Sequence, residues 1–133
     1  NNRTEMSSTT WTATNLNANI TPTTSSNRVI VQVTGDCNTN DSGNELSLSV
    51  FRSINGGTYS NLGNGTYGFM SARSTGARIH TAVSIQFVDD PGTTDQINYK
   101  VYLCRPSGSG ANVEFPVNDG HQFAYIHLME LAS

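Results

Sequence analysis

Three runs of alternating apolar residues follow one another in the last third of the chain, at residues 97–103, 113–117 and 123–131. The side chains of the last run divide between the two faces of an extended strand, with Phe123, Tyr125, Met129 and Leu131 on one face and Ala124, Ile126 and Leu128 on the other. A strand that is apolar on both faces needs a packing partner on each. We expect one partner to be the core of the domain. The other is a second copy of the chain or, alternatively, the chain's own loops.

Four further segments show the same alternation, and no segment shows a helical periodicity. These segments, separated by turn formers, lie at residues 11–20, 28–34, 45–54 and 78–88, whereas the pattern is irregular at residues 57–76. Closely spaced strands joined by turns predict an all-β fold, an antiparallel jelly-roll-like β-sandwich of about eight strands. We assign residues 1–10 to a flexible N-terminal segment or linker, and residues 11–133 to a single β-sandwich head domain.

The composition is polar but nearly uncharged. Charged residues make up 13% of the chain, roughly half the usual value, whereas Ser, Thr and Asn together supply about a third of it. The formal net charge is -3, and Lys100 is the single lysine. Because there is no basic stripe to neutralise phosphates, the sequence argues against nucleic-acid binding. No apolar run is long enough for a membrane span, so we expect no membrane insertion.

The histidines and cysteines do not predict a metal site. His121 and His127 are in phase on one strand, but about 20 Å of extended chain separates them, which is too far for one metal ion. We interpret them and His80 as ordinary surface or interface residues. Cys37 and Cys104 are interpreted as two reduced thiols, although a secreted domain could join them in a disulfide.

Two oxygen-rich segments are candidates for a calcium site. Asp89 and Asp90 are adjacent, but one acidic pair does not supply six oxygen ligands, so capping of the following Pro-Gly turn is favoured. A second segment is favoured as a solvated loop because it lacks the spacing of a calcium-binding helix-loop-helix; it contains Asp36, Asn38, Asn40 and Asp41. We therefore predict no metal and no cofactor.

Catalytic constellations are not apparent in the sequence. Asp89, Asp90 and Glu114 are the carboxylates that a glycosidase would need, but nothing in the pattern marks any of them as buried with a raised pKa. The serines do not occur in a Gly-x-Ser-x-Gly motif, so nucleophilic hydrolysis has no support. The sequence predicts that this protein is not an enzyme.

The uncharged, amide-rich composition suits contact with carbohydrate. Sugars are recognised by neutral hydrogen bonds from Asn, Ser and Thr, together with an aromatic ring against the apolar side of the sugar. The best such cluster is predicted in the irregular segment after the Asn-Gly turn, and its glycan-binding candidates are Tyr59, Asn61, Asn64 and Tyr67. Phe69 in the same segment is expected to close one end of the sandwich instead.

The order and spacing of several segments resemble the C-terminal head domains of bacteriophage tail fibres and related virion appendages, from tailed phages of aquatic bacteria. The segments are Asn-Leu-Asn-Ala-Asn-Ile-Thr-Pro at 15–22, Val-Ile-Val-Gln-Val at 29–33, Asn-Gly-Thr-Tyr-Gly-Phe-Met-Ser-Ala-Arg at 64–73, Asp-Asp-Pro-Gly at 89–92, Ile-Asn-Tyr-Lys-Val-Tyr at 97–102 and His-Leu-Met-Glu-Leu at 127–131. The resemblance spans roughly residues 11–132.

This resemblance implies a trimeric jelly-roll head on the virion that adheres to a host-surface glycan or receptor and contacts other virion proteins. The self-interface is then expected at Tyr125, His127 and Met129, on the last strand. Two alternatives stay open. One is a capsid or tail decoration or assembly module with no receptor role, and the other is a free-standing lectin-like carbohydrate-binding module.

Overall fold

The structure, a computed structural model, describes residues 4–39, 43–108, 112–117 and 123–133. These residues form ten strands: β1 (Thr4–Met6), β2 (Thr12–Ile20), β3 (Arg28–Thr39), β4 (Glu45–Ile54), β5 (Ser60–Asn61), β6 (Met70–Arg73), β7 (Ile79–Asp89), β8 (Ile97–Cys104), β9 (Val113–Phe115) and β10 (Tyr125–Leu131). The described residues include no helix, and the predicted all-β fold is confirmed. Across these ranges the structure has no helix with the length and apolar character that a membrane span requires.

The strands form two antiparallel sheets. Sheet A contains β1, β9, β3, β10 and β7, and sheet B contains β2, β8, β4, β5 and β6. Strand pairs nest along the chain, β1 with β9, β2 with β8, β3 with β7 and β4 with β6. This nesting is the order of one long hairpin rolled into two sheets, which is a jelly roll. The predicted jelly-roll-like sandwich is therefore confirmed.

The core lies between the sheets and is built from alternate residues of the long strands. Its fully buried members include Val29, Val31, Val33, Leu46, Leu48, Val50, Ile97, Tyr99, Val101 and Leu103. Burying one such side chain stabilises the fold by roughly 1.5–3 kcal/mol, which is why period-two alternation decides which face of each strand turns inward. The outward residues of the same strands are then left to form the two external faces of the sandwich.

The last strand lies at an edge of sheet A. Among the described strands β10 pairs only with β3, along residues 28–34, while β9 pairs with the end of β3 at Asn38 and Thr39. The inward residues of β10, Ile126 and Leu128, pack against the core. Its outward side is exposed.

The exposure of the outward side of β10 bears on what covers this side, for which the expected covers were a second copy of the chain or the chain's own loops. Phe123, Tyr125 and Met129 are 58%, 53% and 61% exposed. The alternative in which the chain's own loops cover this face is therefore wrong for the described residues. A second copy of the chain as the cover stays a prediction.

Two features differ from the sequence expectations. Thr4–Met6, within the segment expected to be flexible, forms β1 and pairs with β9 across sheet A. β3 continues beyond residue 34 to Thr39, because Cys37 and Thr39 stay buried in phase with the valines before them. Residues 118–122, between the second and third alternating runs of the last third, lie outside the described residues.

Candidate functional site

The outer surface of sheet B bears a row of aromatic rings, which we call the aromatic face: Trp11, Phe51, Tyr59 and Tyr102. Phe51 and Tyr102 stack with their ring centroids 3.9 Å apart and an interplanar angle of 25°. Trp11 contacts Phe51, and Tyr59 contacts Tyr102, each with a centroid distance of 5.9 Å. All four rings are partly buried. They therefore form a continuous apolar surface that is reachable from outside the sandwich.

Strand register places these rings. Phe51 of β4 pairs with Lys100 of β8, so Phe51 lies diagonally from Tyr102 on the same outward face. Side chains at that diagonal separation are within reach of each other when they are aromatic. Trp11 immediately precedes β2, and its indole N–H donates a hydrogen bond to the Gly65 carbonyl at 2.8 Å. This bond ties the start of β2 to the turn at residues 64–68.

Side-chain amides border the Tyr59 end of the aromatic face. The Tyr59 hydroxyl donates to Oδ1 of Asn98 at 2.7 Å. Nδ2 of Asn98 donates in turn to Oδ1 of Asn17 at 3.1 Å and to Oδ1 of Asn19 at 2.7 Å. The outward phase of β2 and β8 brings the three asparagines together, and Asn17 and Asn19 are exposed. The result is a border of uncharged donors and acceptors.

One positive charge lies on the aromatic face. Nζ of Lys100 is 5.1 Å from the centroid of the Tyr59 ring, within the range of a cation–π interaction. Burial, with a smaller contribution from Tyr59, raises the pKa of Tyr102 above its usual range. The Tyr102 phenol therefore stays neutral at neutral pH.

A cavity of about 420 Å³ opens at the Trp11 end of the aromatic face. It is lined by Thr9, Thr10, Trp11, Gly65, Thr66, Cys104 and Pro106. Its volume is within the range of small-molecule sites, and its lining combines one indole ring with three threonines. The Cys104 thiol donates to the Thr9 carbonyl at 3.1 Å, and burial raises the pKa of this thiol. Because the Cys104 thiol is neutral and hydrogen-bonded, it lines the cavity and is a poor nucleophile.

The four predicted glycan-binding residues take two different roles. Tyr59 is part of the aromatic face, and Tyr67 is 50% exposed in the turn at residues 64–68. Asn61 and Asn64 stabilise the loop itself. Oδ1 of Asn61 accepts a hydrogen bond from the Ser49 hydroxyl at 2.5 Å, and Oδ1 of Asn64 accepts from the Tyr67 N–H at 3.1 Å.

Phe69 follows the sequence expectation. Its ring stacks on Phe87 at a centroid distance of 4.3 Å and packs against the core. Because Phe69 is on the sheet B side and Phe87 belongs to β7 of sheet A, the pair closes one end of the sandwich.

The three predicted interface residues lie together on the opposite side of the molecule. Tyr125 and His127 of β10 have ring centroids 6.1 Å apart, and Met129 continues the same outward face. Met129 pairs with Ile30, which pairs with Val88, so an apolar row crosses three strands of sheet A. We call this surface the outer apolar face: Phe123, Tyr125, Met129, Ile30 and Val88. Among the described residues, four of the five exposed large hydrophobic side chains belong to it.

The histidines and cysteines do not converge. Nδ1 of His80 lies 3.7 Å from Oδ2 of Asp36, and His127 points outward on β10, whereas His121 lies outside the described residues. Cys37 lies in the core and Cys104 lies beneath the N-terminal segment, and both thiols are free. Within the described ranges, no group of three or more His, Cys, Asp or Glu side chains is placed to hold a metal ion.

Two of the three candidate carboxylates, Asp89 and Glu114, have structural partners. Asp89 is bound by Arg52 and by the Tyr99 hydroxyl, and Glu114 is buried, with Nδ2 of Asn38 donating to its Oε2 at 2.9 Å. Asp90 is exposed in the turn. Of the oxygen-rich loop, Asn40 and Asp41 lie outside the described residues.

Sequence reasoning missed most of the aromatic face. Phe51, Tyr102 and the asparagines of β2 occupy the outward positions of well-predicted strands, and alternation alone does not distinguish a binding surface from a solvated one. A usable signal was present, because Asn98, Lys100 and Tyr102 alternate with the buried residues of β8. Register between strands was needed to see that Phe51 and Trp11 join them.

Comparison of the chain with protein-family models, curated proteins and solved structures finds no match.

Proposed function

We propose that this domain is the distal head of a phage tail fibre or related virion appendage, and that it adheres to a host-surface glycan through the aromatic face. The observation that carries the proposal is the row of four partly exposed rings on the outside of sheet B, bordered by neutral amides. A pyranose ring has an apolar side formed by its C–H groups and a rim of hydroxyl groups. The aromatic rings can pack against the apolar C–H side of the sugar, and the asparagine amides can exchange hydrogen bonds with its hydroxyl groups.

The chemistry of the face favours a sugar over other ligands. The asparagines at the Tyr59 end offer uncharged donors and acceptors, which match the hydroxyl groups of a sugar. Nothing in the described site resembles a constellation for bond cleavage. Binding without turnover is therefore the function that we propose.

The outer apolar face supports the assembly part of the proposal. Exposed, contiguous apolar side chains on a sheet are typical of a surface that another chain covers. A symmetric trimer that buries the outer apolar face of each copy would leave the aromatic faces outside, because the two faces belong to opposite sheets. Three identical weak sites on one rigid head would then bind a repeating polysaccharide far more tightly than one site alone.

Placement on a phage virion rests on the sequence resemblance. A decoration or assembly module with the same fold needs no ligand on sheet B, so the two roles differ in whether the aromatic face binds sugar. This difference makes a direct test possible.

The test is binding of the purified domain to an array of bacterial surface oligosaccharides. We expect the wild-type domain to bind a subset of the glycans, and Tyr102→Ala and Tyr59→Ala to lose that binding while they keep the wild-type melting temperature within a few degrees. Thr75→Ala, an exposed change outside both faces, is the matched control. If the wild-type domain binds no glycan, or the aromatic-face variants bind as well as the wild type, the proposal is wrong and a decoration role gains support.

A further inference from the structure

We propose that the aromatic face selects an acidic sugar, and that the Lys100 ammonium pairs with the carboxylate of that sugar. This inference rests on the proposed glycan-binding function and specifies the class of ligand. It predicts that removing the negative charge from the ligand, or the positive charge from the protein, weakens the same interaction.

The chain has a single lysine, and it lies on the aromatic face, with Nζ over the Tyr59 ring. Register sets Asn17 of β2 on one side of Lys100 and Phe51 of β4 on the other. The ammonium is therefore flanked by an amide, a phenyl ring and a phenol ring, all neutral.

No carboxylate of the described residues neutralises this ammonium. Among the described residues, Lys100 forms no ion pair. The one outward carboxylate of β4 is Glu45, six residues from Phe51 along the strand, and so about 20 Å from the position opposite Lys100. Glu45 lies opposite Arg73 in the strand register, and its carboxylate accepts hydrogen bonds from Ser71 and Ser107. The Glu45 carboxylate therefore has its own partners at that end of the sheet and lies too far away to pair with Lys100.

Lys100 differs in this respect from the cation between the two sheets, Arg52. Arg52 forms an ion pair with Asp89 between the sheets, so the Asp89 carboxylate neutralises its positive charge. A net charge of -3 also gives the domain no general attraction for polyanions. Selection of an acidic sugar must then come from a local contact. A charge-assisted hydrogen bond from an ammonium to a carboxylate is roughly twice as strong as a neutral one, and the rings beside Lys100 reduce its hydration.

The experiment uses two copies of one array of acidic and neutral bacterial oligosaccharides. In the second copy, the sugar carboxylates are converted to methyl amides, which keeps the stereochemistry and removes the charge. We expect wild-type binding to the acidic spots to fall about tenfold or more on the amidated copy, with the neutral spots unchanged. Lys100→Met should produce a similar loss on the untreated copy, whereas Lys100→Arg should retain most of the binding.

The outcomes separate this inference from the function on which it rests. Equal wild-type binding to both copies, or acidic binding that survives Lys100→Met, overturns the role of Lys100 and leaves glycan binding in place. Binding to no spot on either copy overturns the proposed function and this inference with it. Tyr102→Ala, which removes a ring and no charge, should weaken binding on both copies, and it is the matched variant for this comparison.

Discussion

Arg52 of β4 and Asp89 of β7 join the two sheets through the interior of the sandwich. Nη1 of Arg52 lies 2.9 Å from Oδ1 and 2.8 Å from Oδ2 of Asp89, and the Tyr99 hydroxyl donates to the same Oδ2 at 2.7 Å. Only 21% of the arginine side chain and 11% of the aspartate side chain are exposed. The carboxylate is therefore held by two donors from sheet B, and this contact fixes one sheet against the other.

Asp89→Asn is expected to lower the free energy of unfolding by about 2 kcal/mol, because it leaves the Arg52 guanidinium largely buried without its counter-ion. Urea denaturation at neutral pH measures the change. Asp90→Asn, an exposed neighbour in the same turn, is the matched control and should change the free energy by less than about 0.5 kcal/mol. Equal stability of the Asp89→Asn variant and the wild type would show that the contact does not hold the sheets together.

This contact also shows how far the sequence determines the fold. Alternation predicted the long strands and the buried side of β8, because burial of every second residue is a local property. Asp89 was predicted only as a turn cap, since its partner Arg52 lies 37 positions away and no local pattern pairs them. The aromatic face was missed for the same reason, because Trp11, Phe51 and Tyr102 meet only after the hairpin is rolled up.

Alkaline pH is expected to destabilise the fold through Cys37. Burial, with a smaller contribution from Asp36, raises the pKa of the Cys37 thiol from 9.0 to about 12. Between these two values the unfolded chain has lost this proton and the folded chain has kept it. The stabilisation is therefore complete below pH 9 and is lost as the pH rises towards 12, at about 1.4 kcal/mol per pH unit.

Urea denaturation from pH 7 to pH 10 measures this slope, and Cys37→Ala should reduce it between pH 9 and pH 10. The buried Cys104 thiol, whose pKa is also raised, is present in both proteins, so their difference isolates Cys37. Burial, with the hydrogen bond to Asp89, raises the pKa of Tyr99 as well, which adds a further loss above pH 10. Parallel stability curves for the wild type and Cys37→Ala would contradict the assignment.

Gly68→Ala is expected to destabilise the turn beside the aromatic face by roughly 1–3 kcal/mol. Gly68 has a φ of +64°, and a Cβ at this position would overlap the carbonyl of Leu48. Gly65→Ala is the matched control, because a Cβ there meets nothing within 4 Å. Thermal melting should separate the two variants clearly. If Gly68→Ala melts together with Gly65→Ala, the close approach of this turn to β4 is not a constraint on the fold.

The outer apolar face is expected to hold a trimer together. Light scattering of the wild-type domain at micromolar concentration should give three times 14.3 kDa, and combined Tyr125→Ser and Met129→Ser changes should give a folded 14.3 kDa monomer. Tyr67→Ser, at a tyrosine that is 50% exposed outside this face, should leave the mass unchanged. A wild-type domain that remains a monomer would remove the self-interface, and would favour a free-standing carbohydrate-binding module.

Chemical-shift mapping with an array-selected oligosaccharide would locate the sugar, which we expect on the outside of sheet B. Amide resonances of the outward residues of β2, β4 and β8, together with the indole N–H of Trp11, the chain's single tryptophan, are expected to shift in proportion to the bound fraction. Resonances of β3, β7 and β10 should stay in place. Shifts confined to sheet A, or an unmoved Trp11 indole at saturation, would show that the sugar does not bind on the aromatic face.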